Sequence, residues 1–122
     1  MSAIITTSKS AAVFKPERFN PVVLAENQRV KVILVCLEPG QFIPVHSPQV
    51  DMALVILEGE GMLVAGEREE AVRPGAVAFV PAGESRGLKA QTRLLALHVV
   101  TPPPTQADHA GVAAGLAKGE WR

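Results

Sequence analysis

Cysteine is nearly absent from the chain. Its only cysteine is Cys36, which excludes an intramolecular disulfide framework and any cysteine-rich zinc site. Cys36 lies inside the apolar run Val30 to Leu37, which suits a buried, inert thiol better than a nucleophile. Tyrosine is missing altogether, so no phenol is available as an acid. Net charge is missing too: twelve basic and twelve acidic side chains cancel. With no long-range positive field to attract phosphate, nucleic acid is not an expected partner. The longest unbroken apolar runs reach about six residues, against the roughly 20 that a membrane-spanning helix needs, so no membrane partner is expected. Met1 to Ala12 lack a basic stretch followed by an apolar one, so no secretory signal is read and a cytoplasmic protein is expected.

What is present is a single foldable domain. Hydrophobic residues make up 48% of the 122 residues and charged residues 20%, which excludes a disordered chain. A chain of this length exposes about 6,300 Å² when folded against roughly 18,700 Å² unfolded, enough burial for a core without staples. Turn residues recur at short intervals: Pro39-Gly40, Gly59-Glu60-Gly61, Gly66-Glu67, Pro74-Gly75 and Pro81-Ala82-Gly83. Between them lie short runs rich in Val, Leu, Ile and Phe, the pattern of an all-β sandwich or barrel. The spacing predicts strands at Pro21–Ala25, Val30–Glu38, Phe42–Val45, Met52–Leu57, Met62–Ala65, Ala76–Val80, Arg86–Ala90 and Leu94–Val100. Pro102-Pro103-Pro104 ends the sheet, because proline donates no backbone hydrogen bond. A short helix over about 108–118 is predicted next, with Asp108 as N-cap, Val112 and Leu116 on one face and Gly119 as stop. The organisation is therefore an N-terminal segment and entry strand over 1–20, a barrel over 21–101, and a Pro-rich linker and C-terminal helix over 102–122. Met1 to Ser10 read as polar and loose.

Residues 40 to 87 carry two spaced motifs. Gly40 is followed by Gln41-Phe42-Ile43-Pro44-Val45 and then His46, and Gly59 closes this first stretch in register. Gly75, Pro81 and Gly83 form the spine of the second, and Leu57-Glu58-Gly59-Glu60-Gly61 reads as the hairpin between them. This arrangement resembles the cupin superfamily, whose motifs are G-x5-H-x-H-x3,4-E-x6-G and G-x5-P-x-G-x2-H-x3-N, over roughly residues 28–101. The resemblance implies a double-stranded β-helix, or jelly-roll, barrel and a homodimer in which strands of one protomer cover the other.

The resemblance also locates where a metal would sit. In metal-bearing cupins two histidines and a glutamate of the first motif, with a histidine of the second, bind a divalent ion inside the barrel. Only His46 matches. Pro48 stands at the second histidine, Met52 at the glutamate and Arg86 at the last histidine. Proline has no donor atom, methionine a soft thioether, and a guanidinium is a permanent cation. The standard site is degenerate and no cofactor is expected. The alternative is a rearranged site for a divalent transition metal, in which His98 from the last strand meets His46 and Asp51 turns inward through a bulge. His98 otherwise reads as a core or interface histidine, and His109 as an exposed residue of the tail helix.

These residues point to a small-molecule-binding or accessory protein. His46 and Arg86 would form the polar floor of its pocket, with His98 as a further candidate, and its ligand would be small and anionic or carbonyl-bearing. Arg86 carries that expectation, since a guanidinium fork can hold a carboxylate or phosphate in place of the missing ion. If it turned outward it would instead pair with a surface acid such as Glu84. Met52, Leu54 and Ile56, with Phe42 and Phe79, are expected to make the cavity walls or fill the core. The alternative is an enzyme, either with the rearranged metal or with His46 as a metal-free general base.

Overall fold

Strand formation follows from alternation. In Asp51–Glu58 the even positions Met52, Leu54 and Ile56 are buried and the odd positions are not, as a strand with one face on a core requires. The computed structural model describes residues 2–122. Its strands are β1 (Asn20–Glu26), β2 (Lys31–Leu37), β3 (Phe42–His46), β4 (Asp51–Glu58), β5 (Gly61–Ala65), β6 (Arg68–Val72), β7 (Val77–Val80), β8 (Arg86–Ala90) and β9 (Leu94–Thr101). The helices are α1 (Ser8–Ala11) and α2 (Gln106–Lys118). One antiparallel sheet runs β1-β2-β9-β4-β7 and the other β3-β8-β5-β6. They face each other as a double-stranded β-helix, with Val35, Leu37, Leu54, Ile56, Leu88 and Leu94 buried between them.

β6 is a strand that alternation misses. Its residues Arg68 to Ala71 are all exposed, so no apolar period marks it. It forms because Gly66-Glu67 folds it back onto β5 in a hairpin that pairs Ala65 with Arg68. Charge on this edge strand also discourages pairing with another chain. At the hairpin from β4 to β5, Gly59 is irreplaceable. Its φ is +82° and a Cβ there would lie 2.0 Å from the Arg93 carbonyl oxygen.

The N-terminal segment is more ordered than its polarity predicts. Thr7 caps α1 by accepting the Ser10 N–H at 3.1 Å. From the end of α1 onward, Ala11, Ala12 and Phe14 pack on Leu34, Cys36 and Leu95, which face outward from the five-stranded sheet. The Arg93 guanidinium lies 3.7 Å from the centre of the Phe14 ring, closing the other side. Cys36 is fully buried beneath this layer, and burial pushes its thiol pKa up.

The C-terminal helix begins earlier than predicted. Thr105, not Asp108, is the N-cap, because Asp108 sits one turn inside and accepts the Thr105 backbone N–H at 2.9 Å. The same carboxylate accepts the Gln49 N–H at 2.9 Å, tying the helix to the loop between β3 and β4. Gly119 ends the helix in the left-handed conformation, with φ of 70°.

Candidate functional site

A cavity of about 380 Å³ opens between the sheets at the end of the barrel that α2 covers. Its apolar walls include Val35, Ile43, Met52, Leu54, Leu63 and Leu88. Pro104, Val112 and Ala113 contribute from the C-terminal segment. The helix comes this close because it presents glycine to β3. A Cβ on Gly115 would lie 2.4 Å from Pro44 Cβ, and one on Gly111 would lie 3.0 Å from His46 Cβ. The chain beyond α2 then returns along β3, where the Val45 N–H donates to the Trp121 carbonyl at 2.7 Å.

Three polar side chains reach the cavity from two sheets. His46 on β3 and Arg86 on β8 are register partners. His98 enters from the opposite sheet, paired on β9 with Ile33 of β2 and Leu54 of β4. The even positions of β9 face inward, which puts His98 in the barrel at 7% exposure rather than at an interface. Arg86 also points inward rather than to Glu84, and is only 4% exposed.

Arg86 is incompletely bonded. Its Nη2 donates to the Pro81 carbonyl at 3.0 Å, while Nε and Nη1 are buried without a partner among the described residues. None of the ion pairs among the described residues involves it. Burial lowers its pKa, opposed by the charges of Asp51, Asp108 and Glu84. A guanidinium starts so high that it stays charged at neutral pH.

Both imidazoles are held neutral. Burial pushes the His98 pKa down to about 4, helped by the Arg86 charge and by His46, and its Nε2 has no partner among the described residues. Burial also lowers the His46 pKa, with Arg86 adding to the effect against a bond to the Pro44 carbonyl. That bond, 2.8 Å from Nδ1 to Pro44 O, places the proton on Nδ1 and the lone pair on Nε2.

Comparison with known proteins decides the family. A model of the cupin domain matches residues 33–100, more than half of the chain. The chain belongs to the cupin family. Among solved structures, the TT1209 protein of Thermus thermophilus is 33% identical, with a TM-score of 0.77, over 80% of this chain and 96% of that one. An RmlC-like cupin from Desulfovibrio desulfuricans is 29% identical, with a TM-score of 0.71, over 84% of this chain and 98% of that one. KdgF from a Halomonas species shares the fold at 15% identity and a TM-score of 0.68, over 75% of this chain and 86% of that one. No curated protein matches the chain.

The residues of this cupin do not fit the family's divalent ion. The alternative set of His46, His98 and Asp51 is not assembled, and no group of three or more His, Cys, Asp or Glu among the described residues could hold a metal. Asp51 takes the outward parity of β4, and its carboxylate accepts the Ala82 N–H at 2.8 Å. Arg86, inside the cavity where the family places a ligand, would repel a cation.

Other expectations need correction. Phe79 is 63% exposed on the outer face of β7, because its neighbour Val80 is the one that turns inward opposite Met52. Met52 and Leu54 do line the cavity, whereas Ile56 belongs to the packed core and Phe42 is not part of the lining. His109 is exposed, as expected, yet it stands at the cavity rim with Arg18 and Lys31. Sequence reasoning missed that rim, since nothing in a polar N-terminal segment or a tail helix signals that both end at the same opening. No helix among the described residues is long and apolar enough to cross a membrane.

Proposed function

We propose that this cupin binds a small molecule in its barrel without the family's metal, using Arg86, His46 and His98 as the polar groups of the pocket. The observation that carries this reading is the buried Arg86, with two unpartnered nitrogens in a cavity whose walls are mostly apolar. A buried charge costs several kcal/mol unless something compensates it, and a bound ligand supplies that compensation. The volume lies at the small end of the roughly 300–1,000 Å³ usual for ligand sites.

The first test is elemental analysis of tag-free protein purified without chelator, with His46→Ala alongside. Metal far below one equivalent in both proteins is the expected result. Near-stoichiometric metal that disappears in His46→Ala would overturn the metal-free reading.

One observation favours a second reading. With Nδ1 occupied by Pro44, the neutral His46 keeps a lone pair on Nε2 near a permanent cation, the pairing a general base needs when negative charge develops on its substrate. Solvent-proton exchange at a carbon acid bound in the pocket, abolished in His46→Ala, would identify an enzyme.

The partner proposed for the barrel's outside is a second copy. The outward residues of the five-stranded sheet form two apolar rows, Val32-Val99-Ala53-Phe79 and Leu34-Leu97-Val55-Val77, with Leu34 covered by the N-terminal segment and the β7 end exposed. Val77 is 74% exposed in the monomer. A patch of this kind favours self-association through a two-fold contact.

A further inference from the structure

The chain is neutral as a whole, with twelve basic and twelve acidic residues, but its cavity is not. Arg86 lies within the cavity, and Arg18 and Lys31 stand among its lining residues. No aspartate or glutamate among the described residues lines it. The lining therefore carries cations and no carboxylate, and Asp51, Asp108 and Glu84, the acids that act on Arg86, lie outside it. The cations differ in depth: Arg86 is buried, Lys31 half-buried and Arg18 exposed. Only Arg86 sits where low dielectric makes a charge costly to leave alone.

We infer that the ligand is a monocarboxylate with an apolar body, its carboxylate on Arg86 and its body against Met52, Leu54, Leu63 and Leu88. This rests on the reading of the barrel as a binding site and names the class it takes. One buried cation matches one negative charge. A second charge on a body that stays inside the cavity would be buried against apolar walls, since the remaining cations, Lys31 and Arg18, stand half-buried and exposed at the rim, which disfavours dicarboxylates and phosphate esters. The free N–H groups of a planar guanidinium suit the two oxygens of a carboxylate. His46 and His98, neutral at pH 7, add no charge and remain available as hydrogen-bonding groups for a carbonyl or hydroxyl on the body. Size follows from volume. At the roughly 30 Å³ that each water takes up in the liquid, the cavity holds about a dozen non-hydrogen atoms. Arg18, Lys31 and His109 at the rim would draw an anion toward the opening.

The experiment is isothermal calorimetry at pH 7 on the full chain. Its probes are hexanoate and phenylacetate, their neutral counterparts hexanamide and phenylacetamide, the dianion adipate, and inorganic phosphate. Both monocarboxylates are expected to bind at least tenfold more tightly than their amides, as loss of a charge-assisted hydrogen bond implies. Adipate and phosphate are expected to bind at least tenfold more weakly than hexanoate. Arg86→Met should erase the preference for carboxylate over amide. Arg86→Lys keeps the charge without the fork and serves as the second variant should the first fold poorly; it should leave a reduced preference. Amides that bind as tightly as the acids, or a preference unmoved by either variant, would overturn the carboxylate assignment while leaving the binding site standing. Tighter binding of adipate or phosphate would overturn the single-charge argument. Failure of every probe, charged and neutral, at millimolar concentration would overturn the binding site itself.

Discussion

His46 and Arg86 are partners across the β3–β8 pair, which sets their side chains over the same end of the barrel. The pairing places a neutral imidazole beside a buried guanidinium at the positions where the family's motifs would supply two ligands to one ion. A cation lodged there changes what the barrel can hold. It repels a positive ion, and on the function proposed above it would favour a negative molecule with no change of fold.

Arg86 should lower stability even as it creates the pocket. Replacing an unpaired buried charge by an apolar side chain of similar length is expected to stabilise the protein by about 1–3 kcal/mol, even with the bond to Pro81 lost. Urea unfolding of Arg86→Met at pH 7 measures this. A variant less stable than wild type would show that Arg86 is a structural element first.

Stability should fall on the acid side well above the carboxylate range. The His98 pKa is depressed from 6.5 to about 4 in the folded state, so the unfolded chain binds its proton more readily. Folding free energy contributed by keeping His98 neutral is present above pH 6.5 and is lost as pH falls toward 4, by about 3 kcal/mol at full effect. The lowered pKa of His46 adds in the same direction. His98→Leu should flatten the stability curve between pH 7 and pH 4.5, followed by denaturant melts at each pH. An unchanged acid limb in that variant would contradict the buried, unpartnered placement of His98.

Gly115→Ala should be destabilising although alanine is the better helix former by about 1 kcal/mol. The added methyl would sit 2.4 Å from Pro44 Cβ, so α2 must move off β3 or β3 must give. The expected net loss is about 1–3 kcal/mol, read from thermal or urea melts. Gly111→Ala, with its nearest contact at 3.0 Å, should cost less. A gain in stability at position 115 would mean that the helix is loosely seated.

The two apolar rows on the outer sheet face should make a dimer. Light scattering on a sizing column is expected to give twice the monomer mass for wild type, and the monomer mass for Phe79→Glu, which puts a charge at the exposed β7 end of the first row. Circular dichroism should show the fold unchanged, because Phe79 takes no part in the core. A monomeric wild type would leave that face without its proposed partner.

Much of the fold is legible in consecutive residues, for a physical reason. Gly59, with its positive φ and the Arg93 carbonyl against its α-carbon, admits no side chain, so the residue itself announces the turn. Alternation groups Met52, Leu54 and Ile56 on one face of β4 and Leu94, Ala96, His98 and Val100 on one face of β9, since each residue's parity is set by its neighbours, and the fold then turns both faces inward. β6 is silent because exposed Arg68, Glu69 and Glu70 look the same in a loop as on an edge strand. Phe79 is misplaced by the same reasoning because the phase of a four-residue strand is weakly specified, and an apolar face waiting for a partner resembles one facing a core.

The barrel, its turns and the identity of the residues at the metal positions follow from the order of amino acids alone, because spacing and backbone geometry are local. Three outcomes needed the folded chain: Arg86 turns inward, Asp51 commits its carboxylate to Ala82, and His98 lies in the same cavity as His46. Folding also brings Arg18, Lys31 and His109, from three distant stretches, to one opening. Those outcomes depend on which groups meet across two packed sheets and a returning helix, and such meetings have no signature in local sequence.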